Sequence, residues 1–247
     1  MTGAAAAPVL ADVGGLPFLD ASFRWRRLLA ITAAVRISAA RQRDLPGSAG
    51  ADDAEAWLAP GRALLLRSAQ VAMPALPLTD GQLARVRDAA ALIGERVSWW
   101  APLALLPVEY VLLHPAKGAI SASSRNWPQH VLLAPEAFAS GAELLEQSLH
   151  ELSHQWLYLI EGIWPLELPA APPVTLPSGT PGRSPAEVLG AAHVAAVLIR
   201  LYQAGHGTSQ RRAQLAGYGT ACLELACGTA SLTETGQAVA QRLKEEF

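Results

Sequence analysis

Charge is scarce in this chain, and what there is nearly cancels. Asp, Glu, Lys and Arg make up 16% of 247 residues, with 21 acidic side chains against 19 basic. With no basic excess to neutralise a phosphate backbone, a dedicated nucleic-acid binder is not expected. A disordered chain has the opposite balance, because here Ala, Val, Ile, Leu, Met, Phe, Trp, Tyr and Cys supply 51% of the residues. Cysteine is almost missing. Cys222 and Cys227 cannot build a disulfide framework, and both read as small buried apolar residues in a reducing compartment. The sequence has no apolar run of the roughly 18 residues that a membrane span needs, so no membrane partner is expected. Met1 to Leu16 lacks the basic start and continuous apolar stretch of a signal peptide, so a cytoplasmic location is expected.

What is present is helical patterning with a short interruption. Residues 1–16, rich in Ala, Gly and Pro, are expected to be loose. Helices are expected at about 18–42, 52–72 and 79–99, the first two separated by the breaker stretch Pro46 to Gly50. The period then changes. Val108 to Leu113 and His130 to Leu133 are β-branched or aromatic enough to read as strands, expected to pair antiparallel. Ser140 to Glu143 and Ser184 to Glu187 both have capping-box form, opening helices at about 141–160 and 185–202. The six prolines between Pro165 and Pro181 rule out a regular helix there. Helices at about 209–226 and from 233 onward complete the chain. The expectation is a mainly α (α+β) fold over residues 1–247, with a small β-hairpin or short antiparallel sheet. No composition shift marks a domain boundary.

One motif carries chemistry. His150-Glu151-Leu152-Ser153-His154 is an H-E-x-x-H sequence inside the expected helix 141–160. Positions i and i+4 share one helical face, so both imidazoles can reach one ion at about 2.0–2.1 Å. Glu151 can face a metal-bound water and act as general base in a hydrolase. Leu144, Leu145, Leu149, Leu152, Trp156 and Leu159 bury the same helix, where two His and a Glu are costly without partners; a metal is one such partner. The plain alternative is a pair of hydrogen-bonded core histidines.

Two imidazoles do not complete a site. Leu157 and Ile160 stand where the extended motif H-E-x-x-H-x-x-G-x-x-H needs Gly and His, which excludes that peptidase class. The downstream candidates for a third ligand are His193, among small alanines, and Glu187, whose capping role already accounts for it. His114, His130 and His206 read as surface histidines near element ends. Arg200 lies seven residues after His193, on nearly the same face two turns on, and Arg183 just precedes that helix. Either can hold a carboxylate of substrate or cosubstrate; a solvated surface role is the alternative for each.

The order of these residues resembles a known family. His150 to Gln155, a Pro-rich loop, Gly182-Arg183-Ser184-Pro185, Val188 to Val194 and then Leu232-Thr233-Glu234-Thr235-Gly236 are similar to the HExxH-type 2-oxoglutarate-dependent peptide β-hydroxylases. Proteins of that family modify ribosomally made precursor peptides in natural-product biosynthesis. The resemblance is densest over residues 130–240. It implies Fe(II) and 2-oxoglutarate as cofactors, O₂ as cosubstrate and hydroxylation of a peptide Cβ. By position it makes His150, His154 and His193 the iron ligands, between two core helices, and Arg183 a partner of the 2-oxoglutarate carboxylate. Two other functions stay open: a zinc metallopeptidase with Glu151 as base, since imidazole suits zinc and iron alike, and a peptide-binding module without catalysis.

Overall fold

The structure, a computed structural model, describes residues 8–45, 54–67, 71–206 and 208–247. The expected break at Pro46 to Gly50 and the expected helix start near Asp52 lie outside the described residues. In chain order the helices are α1 (Pro8–Val13), α2 (Trp25–Arg41), α3 (Pro60–Leu65), α4 (Asp80–Arg96), α5 (Ala101–Ala104), α6 (Gly141–Glu161), α7 (Pro185–Leu201), α8 (Ser209–Gly228) and α9 (Glu234–Leu243). The strands are β1 (Ala75–Pro77), β2 (Glu109–Leu113), β3 (Ser121–Ala122) and β4 (His130–Leu133). The fold is mainly helical with a small sheet, as the patterning anticipates. The chain divides into two compact units, Trp25–Leu159 and Met1–Arg24 together with Ile160–Phe247.

In the unit Trp25–Leu159 the sheet order is β1-β2-β4-β3. The two expected strands do pair, but parallel, with Glu109 opposite His130 and Leu112 opposite Leu133. The antiparallel expectation is corrected by the connection between them. The chain leaves β2, lays β3 antiparallel on the far side of β4, and returns to run β4 in the direction of β2. A parallel pair needs such a crossover, which a tight hairpin cannot supply. Alternation along β4 sorts its side chains. Val131 and Leu133 pack with Leu144 of α6 and Val86 and Ala89 of α4, while Leu132 packs with Val111 and Leu113 on the other face.

The helix expected at 52–72 is not continuous. A short turn at Ala56–Leu58 stops, and α3 restarts at Pro60. Ala59 is extended (φ −67°, ψ 140°) because the residue before a proline clashes in the helical region. α4 starts as expected, with Thr79 accepting from the Gln82 amide and Gln82 reaching back to the Thr79 N–H.

The other unit is built on α7. Ser184 accepts from the Glu187 N–H at 3.3 Å, and Glu187 Oε2 accepts from the Ser184 N–H at 2.8 Å. α7 and the turn after it are long and apolar enough to cross a membrane by length and composition, but most of that run is buried within the protein. The Pro-rich segment folds into a small hairpin, with Val174 and Arg183 exchanging backbone hydrogen bonds at 2.8 and 2.9 Å. Residues 10–16 are packed rather than loose, since Leu10, Val13 and Leu16 are buried apolar anchors. In the Leu232–Gly236 segment Thr233 caps α9, accepting from the Gly236 N–H at 3.1 Å. A Cβ on Gly236 would stand 2.0 Å from the Leu166 carbonyl oxygen, so close packing requires glycine there.

Candidate metal centre

α6 carries the motif on a helix whose other faces are core. Leu149, Leu152, Trp156 and Ile160 are fully buried, and Trp156 Nε1 donates to the Leu103 carbonyl at 2.9 Å. The residues left toward solvent follow helical spacing through Gln147, His150, His154 and Tyr158, all half-buried. The His150 and His154 rings lie 5.1 Å apart, centroid to centroid, and His154 stacks on Tyr158 at 5.9 Å. Two imidazoles bound to one tetrahedral ion, with nitrogens about 2.0–2.1 Å from it, place their ring centroids about 5 Å apart. The centroid separation of the pair matches that of two imidazoles on one ion.

Glu151 points the other way from bulk water. Its side chain is 2% exposed, and its Oε1 lies 3.8 Å from His150 Nε2. That oxygen accepts from Ser121 Oγ on β3 at 2.6 Å. Among the described residues its Oε2 has no hydrogen-bond partner. Near it on β2 is Tyr110, a residue that keeps some exposure while its hydroxyl oxygen is buried and also unpartnered among the described residues. Burial first, and the charge of Glu151 second, push the Tyr110 phenol above its ordinary pKa. A second polar ladder stabilises the far end of this face of the helix. Gln155 accepts from the Gln129 N–H at 2.8 Å and donates to the His130 carbonyl at 2.8 Å, which ties α6 to the start of β4.

His193 is placed in the other unit, fully buried on α7. Its Nε2 lies 2.9 Å from the Pro17 carbonyl, which can only accept, so Nε2 carries the proton and the lone pair is on Nδ1. Burial pushes its pKa down to about 4, against smaller opposing effects of the Pro17 bond and of Asp20 and Glu246. Among the described residues no three or more His, Cys, Asp or Glu side chains are grouped to hold a metal ion. The structure thus brings together His150, His154 and Glu151 in the unit Trp25–Leu159, while His193 belongs to the other unit.

The two arginines are engaged locally. Arg200 donates from Nε and Nη2 to Glu246 at 2.9 and 2.6 Å. Burial raises the Glu246 carboxyl, but Arg200 and Arg242 more than offset this and hold it below its ordinary value. Arg183 Nη1 donates to Glu187 Oε1 at 3.1 Å, and its side chain remains 45% exposed. Glu187 is thereby bound to both Ser184 and Arg183. Two other expectations need correcting. His130 is a core residue, 3% exposed, with Nδ1 2.9 Å from the Pro128 carbonyl. Cys227 is exposed, and only Cys222 is buried.

Ser121, Gln147 and Tyr110 were not expected as site residues. Gln147 could have been found, since Glu143, Gln147 and Glu151 repeat every four residues along α6. Ser121 sits on a two-residue strand, too short to show a period. No protein-family model matches the chain, and no curated protein matches it either.

Proposed function

We propose that the chain is a mononuclear metalloenzyme that modifies a peptide, with His150 and His154 as metal donors. The observation that carries this is the imidazole pair, half-open on one face of a helix that is otherwise core, with a buried carboxylate 3.8 Å from one of its nitrogens. These two residues supply the first two donors, and a third donor, water, substrate or cosubstrate take the remaining positions.

The sequence resemblance favours Fe(II) and 2-oxoglutarate, with hydroxylation of a Cβ on a ribosomally made precursor peptide. Iron with 2-oxoglutarate and O₂ supplies the power to oxidise an unactivated C–H bond. The same resemblance makes His193 the third donor and Arg183 the carboxylate partner. Arg200 does not fit that task, since Glu246 occupies its two-point face. Glu151 orients a bound water or a ligand.

A specific observation favours hydrolysis as the second reading. Glu151 Oε1 stands 3.8 Å from His150 Nε2, within reach of a water on an ion held by that ring, the task of a general base in a zinc hydrolase.

One experiment separates them. The protein is reconstituted anaerobically with Fe(II), then given O₂, 2-oxoglutarate and a panel of ribosomal precursor peptides. Hydroxylation gives a peptide heavier by about one oxygen atom together with succinate, both lost in His150→Ala and His154→Ala. Peptide cleavage by zinc-loaded protein without O₂ or 2-oxoglutarate assigns the hydrolase instead. Failure of the wild type to retain either metal more tightly than the two alanine variants overturns both.

A further inference from the structure

Glu143, Gln147 and Glu151 lie one above another on α6, and strand β3 meets this stripe with a single hydroxyl. Ser121 Oγ is 2.6 Å from Glu151 Oε1 and 2.6 Å from Gln147 Oε1, and Gln147 Nε2 donates to Glu143 Oε1 at 2.9 Å. β3 is the terminal strand of the sheet and is paired to β4 through Ser121 opposite Leu133. The serine therefore belongs to a backbone fixed by the sheet, while Glu151 belongs to the motif helix.

A glutamate has three side-chain torsions, and burial alone does not choose among them. In Glu151 one oxygen is anchored and the other has no hydrogen-bond partner among the described residues. The anchored oxygen is also the one 3.8 Å from His150 Nε2. We propose that Ser121 is a positioning residue, whose hydroxyl holds the Glu151 carboxylate beside the His150/His154 pair. This rests on the reading of that pair as metal donors. It adds that the sheet edge, through one side chain outside the motif, sets where the motif's carboxylate stands. The hydroxyl has a single proton, for which Gln147 Oε1 is the second acceptor, and Glu143 fixes Gln147 by accepting from its Nε2.

Because a serine on a strand can also matter only for packing, the test compares side chains of equal shape. Thr and Val differ at this position by the hydroxyl alone, and both are suited to a strand. Ser121→Thr, Ser121→Val, Glu151→Gln and Ser121→Val/Glu151→Gln are each loaded with Co(II), and the visible absorption of the bound ion is recorded. Its bands report the ligand field, which changes when a neighbouring carboxylate moves relative to bound water. The expected result is a wild-type spectrum for Ser121→Thr and a displaced one for Ser121→Val. Glu151→Gln is displaced too, and the double variant no further than Glu151→Gln, because one residue acts through the other.

A wild-type spectrum in Ser121→Val, or displacements that simply add in the double variant, overturns the positioning role and leaves the metal reading intact. Cobalt uptake that is indifferent to His150→Ala overturns the metal reading, and the positioning role with it.

Discussion

Arg200 and Glu246 face each other as a two-point pair, with Nε and Nη2 donating to Oε2 and Oε1 at 2.9 and 2.6 Å. The same carboxylate accepts from Arg242 Nη2 at 2.7 Å, and Arg242 reaches on to Asp20 Oδ1 at 2.9 Å. Glu246 is thus shared by two guanidinium groups while only 10% exposed. Replacing it with Ala leaves both cations without this partner. The expected loss for Glu246→Ala is about 2 kcal/mol, below the range for a fully buried pair because Arg200 keeps contact with water. Urea denaturation at neutral pH measures it. A loss under about 0.5 kcal/mol would show that these ion pairs are no more than surface contacts.

His193 predicts a dependence of stability on pH. Its pKa is depressed from 6.5 to about 4 by burial, so the folded protein keeps the ring neutral where the unfolded chain is protonated. Between these values the unfolded state binds more protons, so stability falls as pH drops from about 6.5 to about 4. Above 6.5 the group contributes no slope. The full effect is roughly 3 kcal/mol, since each pKa unit is worth about 1.4 kcal/mol. Urea midpoints at pH 7.5 and pH 5 should separate clearly in the wild type. His193→Gln keeps an N–H for the Pro17 carbonyl and loses the titration, so its midpoints should move closer together. Equal slopes in the two proteins would count against a neutral buried ring.

What could be read from the sequence, and what could not, follows from how local each determinant is. The capping box at Ser184 is contained in four residues and formed with both of its hydrogen bonds, and at Ser140 the serine accepts from the Glu143 N–H at 3.0 Å. The i, i+4 placement of His150 and His154 needs only a helix, which the Leu-rich stripe around it secures. The direction of β4 relative to β2 depends on where the chain goes between them, and no residue in either strand encodes that. Pro60 was the available sign that the helix at 52–72 is broken, and the apolar run around it masked that sign. His193 is singled out because the two-His motif lacks a third ligand; that its Nε2 meets a backbone carbonyl 176 positions away in the chain is something no spacing rule can reveal.

The thiols should separate by accessibility. Cys222 is buried, and burial pushes its thiol up to about 11, partly opposed by a hydrogen bond with Tyr218. Cys227 is exposed. A thiol reagent at pH 8 is expected to label one cysteine in the native protein and both in urea, because the thiolate is the reactive form and must also be reached. Cys227→Ser should abolish native labelling. Rapid labelling of Cys222 in that variant would mean that α8 opens far more readily than its packing implies.

Tyr110 offers the sharpest contrast between a polar atom that stabilises and one that is only tolerated. Its hydroxyl is buried without a hydrogen-bond partner among the described residues, and the charge of Glu151 acts on it. An unmet buried hydroxyl costs roughly 1–3 kcal/mol of desolvation, and deleting it removes that cost while keeping the ring in the core with Val131 and Leu144. Tyr110→Phe is therefore expected to be neutral or more stable by up to about 1 kcal/mol, opposite to the usual sign for a tyrosine truncation. Thermal denaturation of the metal-free protein decides the sign. Destabilisation by more than about 1 kcal/mol would mean that the phenol donates to Glu151 Oε2 in solution, which would give the motif's carboxylate a second anchor beside Ser121.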